Sequence, residues 1–88
     1  GAVPVVDCCT GERVAVSGTV RALTLRPRGG VPALEAELYD GSGALTLVWL
    51  GRRRILGIDP GRRLTAHGRV TEQQGRPTMY NPSYELHP

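Results

Sequence analysis

The fold turns on two stretches, Arg13-Val14-Ala15-Val16-Ser17-Gly18-Thr19-Val20-Arg21 and Arg63-Leu64-Thr65-Ala66-His67-Gly68-Arg69-Val70-Thr71. Each sets apolar residues at every second position and a glycine where another should stand. Alternation at period two is the mark of a strand with one buried face. In the first stretch Val14, Val16, Val20 and Ala22 share one face, and Arg13, Ala15, Ser17, Thr19 and Arg21 share the other. A glycine inside a strand suggests a bend or bulge. Two strands with matched glycines can bend together, as the corners of a small closed barrel must. Two copies are too few for a stacked repeat array, so the echo predicts barrel geometry.

Working outward, the first run extends to Leu25 and leads into a loop, Arg26-Pro27-Arg28-Gly29-Gly30-Val31-Pro32. The second run, Ala33 to Tyr39, places Leu34, Ala36 and Leu38 inward and Glu35, Glu37 and Tyr39 outward. Asp40-Gly41-Ser42-Gly43 reads as a tight hairpin, with glycines to supply positive φ. The third run, Ala44 to Leu50, is apolar on both sides, with Leu45, Leu47 and Trp49 on one face and Thr46, Val48 and Leu50 on the other. Gly51 to Arg62 reads as irregular, with one short helical turn around Arg53 to Leu56. The fourth run, Arg63 to Thr71, turns through Glu72-Gln73-Gln74-Gly75-Arg76 into a fifth, Pro77 to Leu86, which Asn81-Pro82 interrupts or ends. The 12 glycines and 7 prolines are too many for a helical protein and fall between these runs. Residues 1–11 read as an N-terminal extension and 12–88 as one domain.

Length and composition bound the function. Eighty-eight residues hold one small domain with a thin core. Hydrophobic residues at 40% and charged residues at 22% exclude a wholly disordered chain. Eleven basic residues against eight acids leave +3, which permits an anionic partner without demanding one. Every basic residue is arginine and phenylalanine is absent. A GC-rich coding sequence explains that usage, though guanidinium also suits phosphate and base stacking. No apolar run approaches the roughly 18 residues of a membrane span. Gly1 to Val6 lacks the basic start of a signal peptide. Without an initial methionine, the chain reads as a piece of something longer. Adjacent Cys8 and Cys9 form no disulfide framework and suit a reducing, cytoplasmic setting.

Five strands, a long bent first strand, a tight hairpin and an irregular third-to-fourth connection describe an all-β OB-fold, a five-stranded Greek-key barrel. Gly18-Thr19-Val20, Leu38-Tyr39-Asp40-Gly41-Ser42-Gly43, Val48-Trp49-Leu50 and Pro60-Gly61 through Gly68-Arg69-Val70 follow one another in a telling order. That order resembles the nucleic-acid-binding OB domains of the tRNA-synthetase and helicase type. The likeness is strongest to the wedge domain of RecG helicases and to small stand-alone bacterial OB proteins. The ending Tyr80-Asn81-Pro82-Ser83-Tyr84-Glu85-Leu86 is similar to theirs, and the resemblance covers about residues 12–86. It implies binding of single-stranded or branched nucleic acid on the face of the second and third strands and on the loops after the first and fourth. Here those loops offer Arg26 and Arg28, and Gln73, Gln74 and Arg76. Glu35 and Glu37 stand in the middle of that face, where carboxylates repel phosphates.

Arg52, Arg53 and Arg54, with Arg62 and Arg63 against Asp59, concentrate a local charge of +4. The candidate contacts are therefore Arg26, Arg28, Arg52, Arg53, Arg54, Arg69 and Arg76 for phosphates, with Trp49 or Tyr39 stacking a base. Each has a plainer alternative: a solvated loop for the arginines, core packing for Trp49 beside Leu45 and Leu47. Tyr39 alternates with the two glutamates and is the aromatic expected outside; Tyr80 and Tyr84 face the same choice. His67, His87, Cys8 and Cys9 lack zinc-finger spacing, so neither metal nor cofactor is expected. Ser17, Ser42 and Ser83 lack a nucleophile's context, and Gly51-Arg52-Arg53-Arg54 has no phosphate-loop lysine. No paired carboxylates are readable. The residues predict a non-catalytic binder of nucleic acid, single-stranded DNA first and RNA second. The rival class is a protein-interaction module that uses the barrel edge or the apolar face at Val48 and Leu50.

Overall fold

The computed structural model describes residues 1–88. A 3-10 turn at Val5–Asp7 precedes β1 (Arg13–Leu25), β2 (Ala33–Tyr39), β3 (Ala44–Leu50), β4 (Arg63–Arg69), β5 (Thr71–Gln73), β6 (Arg76–Tyr80) and β7 (Ser83–Leu86). All seven join one sheet in the order β5-β6-β3-β2-β1-β4-β7. Neighbours run antiparallel except β3 and β6. The sequence predicts five strands and a closed barrel; the structure has seven, and its ladder stays open, with β5 and β7 at the edges.

Two interruptions explain the count. Val70 leaves the ladder to bond the N-terminal segment: its carbonyl accepts from Gly11 N–H at 2.7 Å and its N–H donates to Glu12 at 2.8 Å. The fourth run is thereby split into β4 and β5. Asn81, at φ 51°, and Pro82, which has no N–H to give, split the fifth run, an interruption that the sequence predicted. The split sends β6 onto β3 and β7 onto β4, so one segment ties distant parts of the sheet together. The helical turn expected at Arg53 to Leu56 is absent. Residues 51–62 are successive turns, held by Ile58 N–H donating to Ile55 O at 3.1 Å. Those two isoleucines are buried and anchor the segment.

The sheet curls around one core. Leu34, Ala36 and Leu38 of β2 and Leu45, Leu47 and Trp49 of β3 point inward at period two, as expected, and meet Val16, Val20, Leu64, Ala66 and Met79. The first residues pack onto this body. Val5 is a core member, and its N–H donates to Asp40 Oδ2 at 2.8 Å. Asp40 Oδ1 accepts from Ser42 N–H at 2.9 Å, the Ser42 hydroxyl at 2.7 Å and Gly43 N–H at 3.1 Å. Burial alone would raise the Asp40 pKa, but these donors outweigh it and hold the carboxyl below its ordinary value.

The long first strand has two partners. Arg13 to Thr19 pairs with β4, and Thr19 to Leu25 pairs with β2. At the crossover, a Cβ on Gly18 would lie 2.7 Å from the Tyr39 carbonyl oxygen. Gly68 plays a different part: it pairs with Val14, and a Cβ there would meet Met79 Sδ at 3.3 Å. The matched glycines thus do not bend a common corner. One admits a crossing backbone and the other a core side chain.

A bulge then inverts the strand. Val20 pairs with Leu38 and Ala22 with Glu37, leaving Arg21 as the extra residue. Beyond it Leu23 turns to the core, while Ala22, expected inside, is exposed. Thr24 now pairs with Glu35, which brings it to the outer face. Without the bulge, period two would aim Thr24, Arg26 and Arg28 at the core.

Candidate nucleic-acid interface

Past β1 the chain stays paired. Arg26 and Ala33 exchange backbone hydrogen bonds of 2.9 and 3.1 Å, and Arg28 and Val31 exchange bonds of 2.8 and 3.0 Å. Gly29 and Gly30 sit at φ 58° and 80°, the left-handed pair that a two-residue hairpin turn of type I′ needs. The expected 26–32 loop is therefore a ribbon that extends the β1–β2 hairpin. A second hairpin, β5–β6, turns at Gln74 and Gly75, with φ 54° and 75°, and pairs Gln73 with Arg76.

The two hairpins meet over the outer face of β2 and β3. Arg28 Nε and Nη2 donate to Glu35 Oε2 at 3.0 and 2.7 Å. Arg28 Nη1 donates to the Tyr80 hydroxyl at 3.1 Å, which donates to Gln73 Oε1 at 3.0 Å. The Glu35 hydrogen bonds hold the Arg28 guanidinium above its already high ordinary pKa. Val48 lies between Glu35 and Tyr80 in register and is fully buried. That roofing removes most of the apolar outer face that the sequence offers to a protein partner; Leu50, at the end of β3, remains 42% exposed.

Small side chains beside long charged ones leave a groove. Ala22, Thr24 and Thr46 flank Glu35, Glu37, Arg26 and Arg76 around a volume of about 150 Å³. It adjoins a polar hollow of about 90 Å³ where Arg26, Arg28 and Arg76 meet Gln73, Gln74 and Thr78. Neither Arg26 nor Arg76 has an acidic partner, whereas Arg21 pairs with Glu37 at 2.8 Å and Arg28 with Glu35. Each glutamate expected to repel a phosphate is thus already matched by an arginine. The centre of the face is near neutral, and its free positive charge stands at the rim.

The other candidates are scattered. Tyr39 sits at the far end of β2, 39% exposed, with the Arg21 guanidinium 4.2 Å from its ring centroid. Trp49 is 5% exposed, donates from Nε1 to Pro82 O at 3.1 Å and meets Tyr84 edge to face at 5.8 Å. It packs the core and offers no ring face to a base. Arg52, Arg53 and Arg54 are exposed beyond β3 and carry no ion pair. Arg69 lies on the β1–β4 side, in register with Arg13, and donates to the Gly11 carbonyl. On that side too, His67 Nε2 lies 2.8 Å from Glu85, and Thr65 Oγ1 2.6 Å from His87. No group of three or more His, Cys, Asp or Glu residues is placed to hold a metal ion. Both cysteines are free, and burial raises the Cys8 thiol pKa. Arg21, Thr24 and Thr46 belong to the face without having been named as contacts from the sequence, and Tyr80, weighed there as a stacking ring, serves it through its hydroxyl. Alternation puts Arg21 and Thr46 on outward faces and leaves Tyr80 open between core and surface; Thr24 alone, shifted by the bulge, carries no signal in the sequence.

No curated protein matches this sequence. Residues 10–86 match the tRNA anti-codon family, described as an OB-fold nucleic acid binding domain. The matched span holds every strand and both hairpins over the groove. The chain belongs to this family of OB-fold nucleic acid binding domains.

Proposed function

We propose that this domain binds single-stranded nucleic acid, DNA ahead of RNA, across the outer face of β2, β3 and β6, and carries out no reaction on it. The observation that carries the reading is the convergence of Arg26 and Arg76, each free of a carboxylate, on one groove between two hairpins. Guanidinium groups there donate to phosphate oxygens, and paired hairpins spare the ligand the cost of ordering loops. Tyr39, with Arg21 on its ring, extends the surface along β2. Arg52, Arg53 and Arg54 follow Leu50, whose register partner Ala33 pairs in turn with Arg26, so they prolong the cationic rim. Among OB domains we favour the wedge type of RecG helicases, which meets single strands at branch points. The likeness to small stand-alone bacterial OB proteins supports a bacterial origin, and two free thiols a cytoplasmic setting.

Fluorescence anisotropy with a labelled single strand of about 12 nucleotides, at two salt concentrations, tests this. Arg26→Ala with Arg76→Ala should weaken binding and lower the slope of log K against log salt by about 1.4, or 0.7 per lost phosphate contact. Arg69→Ala should leave both unchanged. An unchanged slope in the double variant would refute the groove. A protein partner is the second reading, favoured by Leu56, 89% exposed beside the free Arg52–Arg54 cluster. An acidic segment with an apolar residue would fit it, and Leu56→Ser would then spare oligonucleotide binding.

A further inference from the structure

We infer that the groove selects cytosine-bearing single strands over thymine-bearing ones through the unshared oxygens of Glu35 and Glu37. The inference rests on the nucleic-acid reading of this face and adds what the face chooses.

Each carboxylate is only half used. Glu35 gives Oε2 to Arg28, and Glu37 gives Oε1 to Arg21. Glu35 Oε1 and Glu37 Oε2 make no hydrogen bond within the protein, and both residues line the groove with Arg26, Thr46 and Arg76. An ionised carboxylate only accepts, so these oxygens favour a donor and repel an acceptor. The rim arginines only donate. One site therefore offers acceptors at its centre and donors at its edge.

Cytosine and thymine differ at the atom such a site would read. Cytosine carries the N4 amino donor where thymine carries the O4 acceptor, and a glutamate accepting from cytosine N4 is an established pairing. The neighbouring N3 and O2 of an unpaired cytosine are acceptors and suit the hydroxyl donors of Thr24 and Thr46, which line the same groove and leave Arg26 and Arg76 to the phosphates. Thymine would turn O4 toward a carboxylate. No aromatic ring lines the groove, so discrimination there rests on the base edge and not on stacking. Ala22, Thr24 and Thr46 are short enough to leave the Glu37 carboxylate accessible from above, its side chain 39% exposed; Glu35, at 12%, lies deeper under Arg28. The arginines that hold the shared oxygens fix the two carboxylates in place and offset their charge, so phosphates flanking the base are less strongly repelled.

Anisotropy titrations of the intact chain with oligocytidine and oligothymidine deoxynucleotides of equal length supply the test. We expect cytosine to be favoured by about tenfold, the worth of one hydrogen bond to a charged group. Glu37→Gln should shrink that ratio, because cytosine loses a charge-assisted acceptor while thymine loses a repulsive charge and tightens. The ratio is measured on one protein sample, so it does not depend on the folded fraction. Equal binding of the two strands by the unaltered chain would overturn the inference and leave the binding face standing. A cytosine preference undiminished in both Glu37→Gln and Glu35→Gln would also overturn it. Binding of neither strand would overturn the underlying reading as well.

Discussion

Replacing Gly18 by alanine tests the crossover on which the whole sheet depends. The new Cβ would lie 2.7 Å from the Tyr39 carbonyl oxygen and 3.0 Å from its carbon, against an ordinary contact of at least 3.4 Å. Relief requires the Tyr39 peptide to retreat by about 0.7 Å, the difference between 3.4 and 2.7 Å. Neither backbone is free to yield. Gly18 pairs with Leu64, Thr19 pairs with both Tyr39 and Arg63, and Asp40 begins the hairpin that Val5 also grips. Overpacking of this kind costs about 1–3 kcal/mol. Alanine recovers about 0.5–1 kcal/mol of unfolded-chain entropy that glycine loses in a strand. Because the clash is with backbone atoms, the overpacking cost belongs in the upper half of its range, about 2–3 kcal/mol, and the net is a loss of about 1–2.5 kcal/mol, or roughly 5–20 °C in Tm for a domain of this size. Gly68→Ala is the control. Its Cβ meets the flexible Met79 Sδ at 3.3 Å, so the entropy gain should leave stability level or up by about 0.5 kcal/mol. Circular-dichroism melts and urea midpoints read both variants. A Gly18→Ala protein as stable as the parent would refute the crossover argument. A Gly68→Ala loss as large as that of Gly18→Ala would restore the matched corner predicted from the sequence.

Acid should loosen the N-terminal segment, because a carboxyl whose folded pKa is depressed stabilises above its unfolded value and loses that contribution as pH falls through the folded one. Urea midpoints should therefore drop below about pH 4, less steeply in Asp40→Asn; equal drops would place the titration elsewhere. Alanine at Arg52, Arg53 and Arg54 together should lower the salt slope of oligonucleotide binding by up to about 2, and an unchanged slope would mark the segment as solvated surface. Tyr80→Phe removes the hydroxyl that joins Arg28 to Gln73 and should cost about 1 kcal/mol at the urea midpoint. A melt identical to the parent would show that the two hairpins stand without each other.

Local chemistry was enough to lay out most strands from sequence, because alternation and turn residues act over a few positions. Leu34, Ala36 and Leu38 against Glu35, Glu37 and Tyr39 are one such case, and their faces are those the period predicts. The Asp40–Gly43 hairpin and the Asn81-Pro82 break are others, since glycine's tolerance of positive φ and proline's missing N–H are properties of single residues. What alternation could not reveal was a change of phase. The bulge at Arg21 exists because β1 passes from β4 to β2, and it alone decides that Thr24, Arg26 and Arg28 face the groove. Pairing across the sheet was equally out of reach. Glu35 and Glu37 read as bare repulsive charges until the tertiary structure set Arg28 and Arg21 beside them. Trp49 and Val48 show the same limit. Their neighbours in the chain leave open whether they are covered, and the cover comes from Pro82, Tyr84 and Tyr80, some thirty residues away in the sequence. Alternation and turns depend on a residue and its nearest neighbours, whereas burial and ion pairing depend on which distant strands the curled sheet brings together.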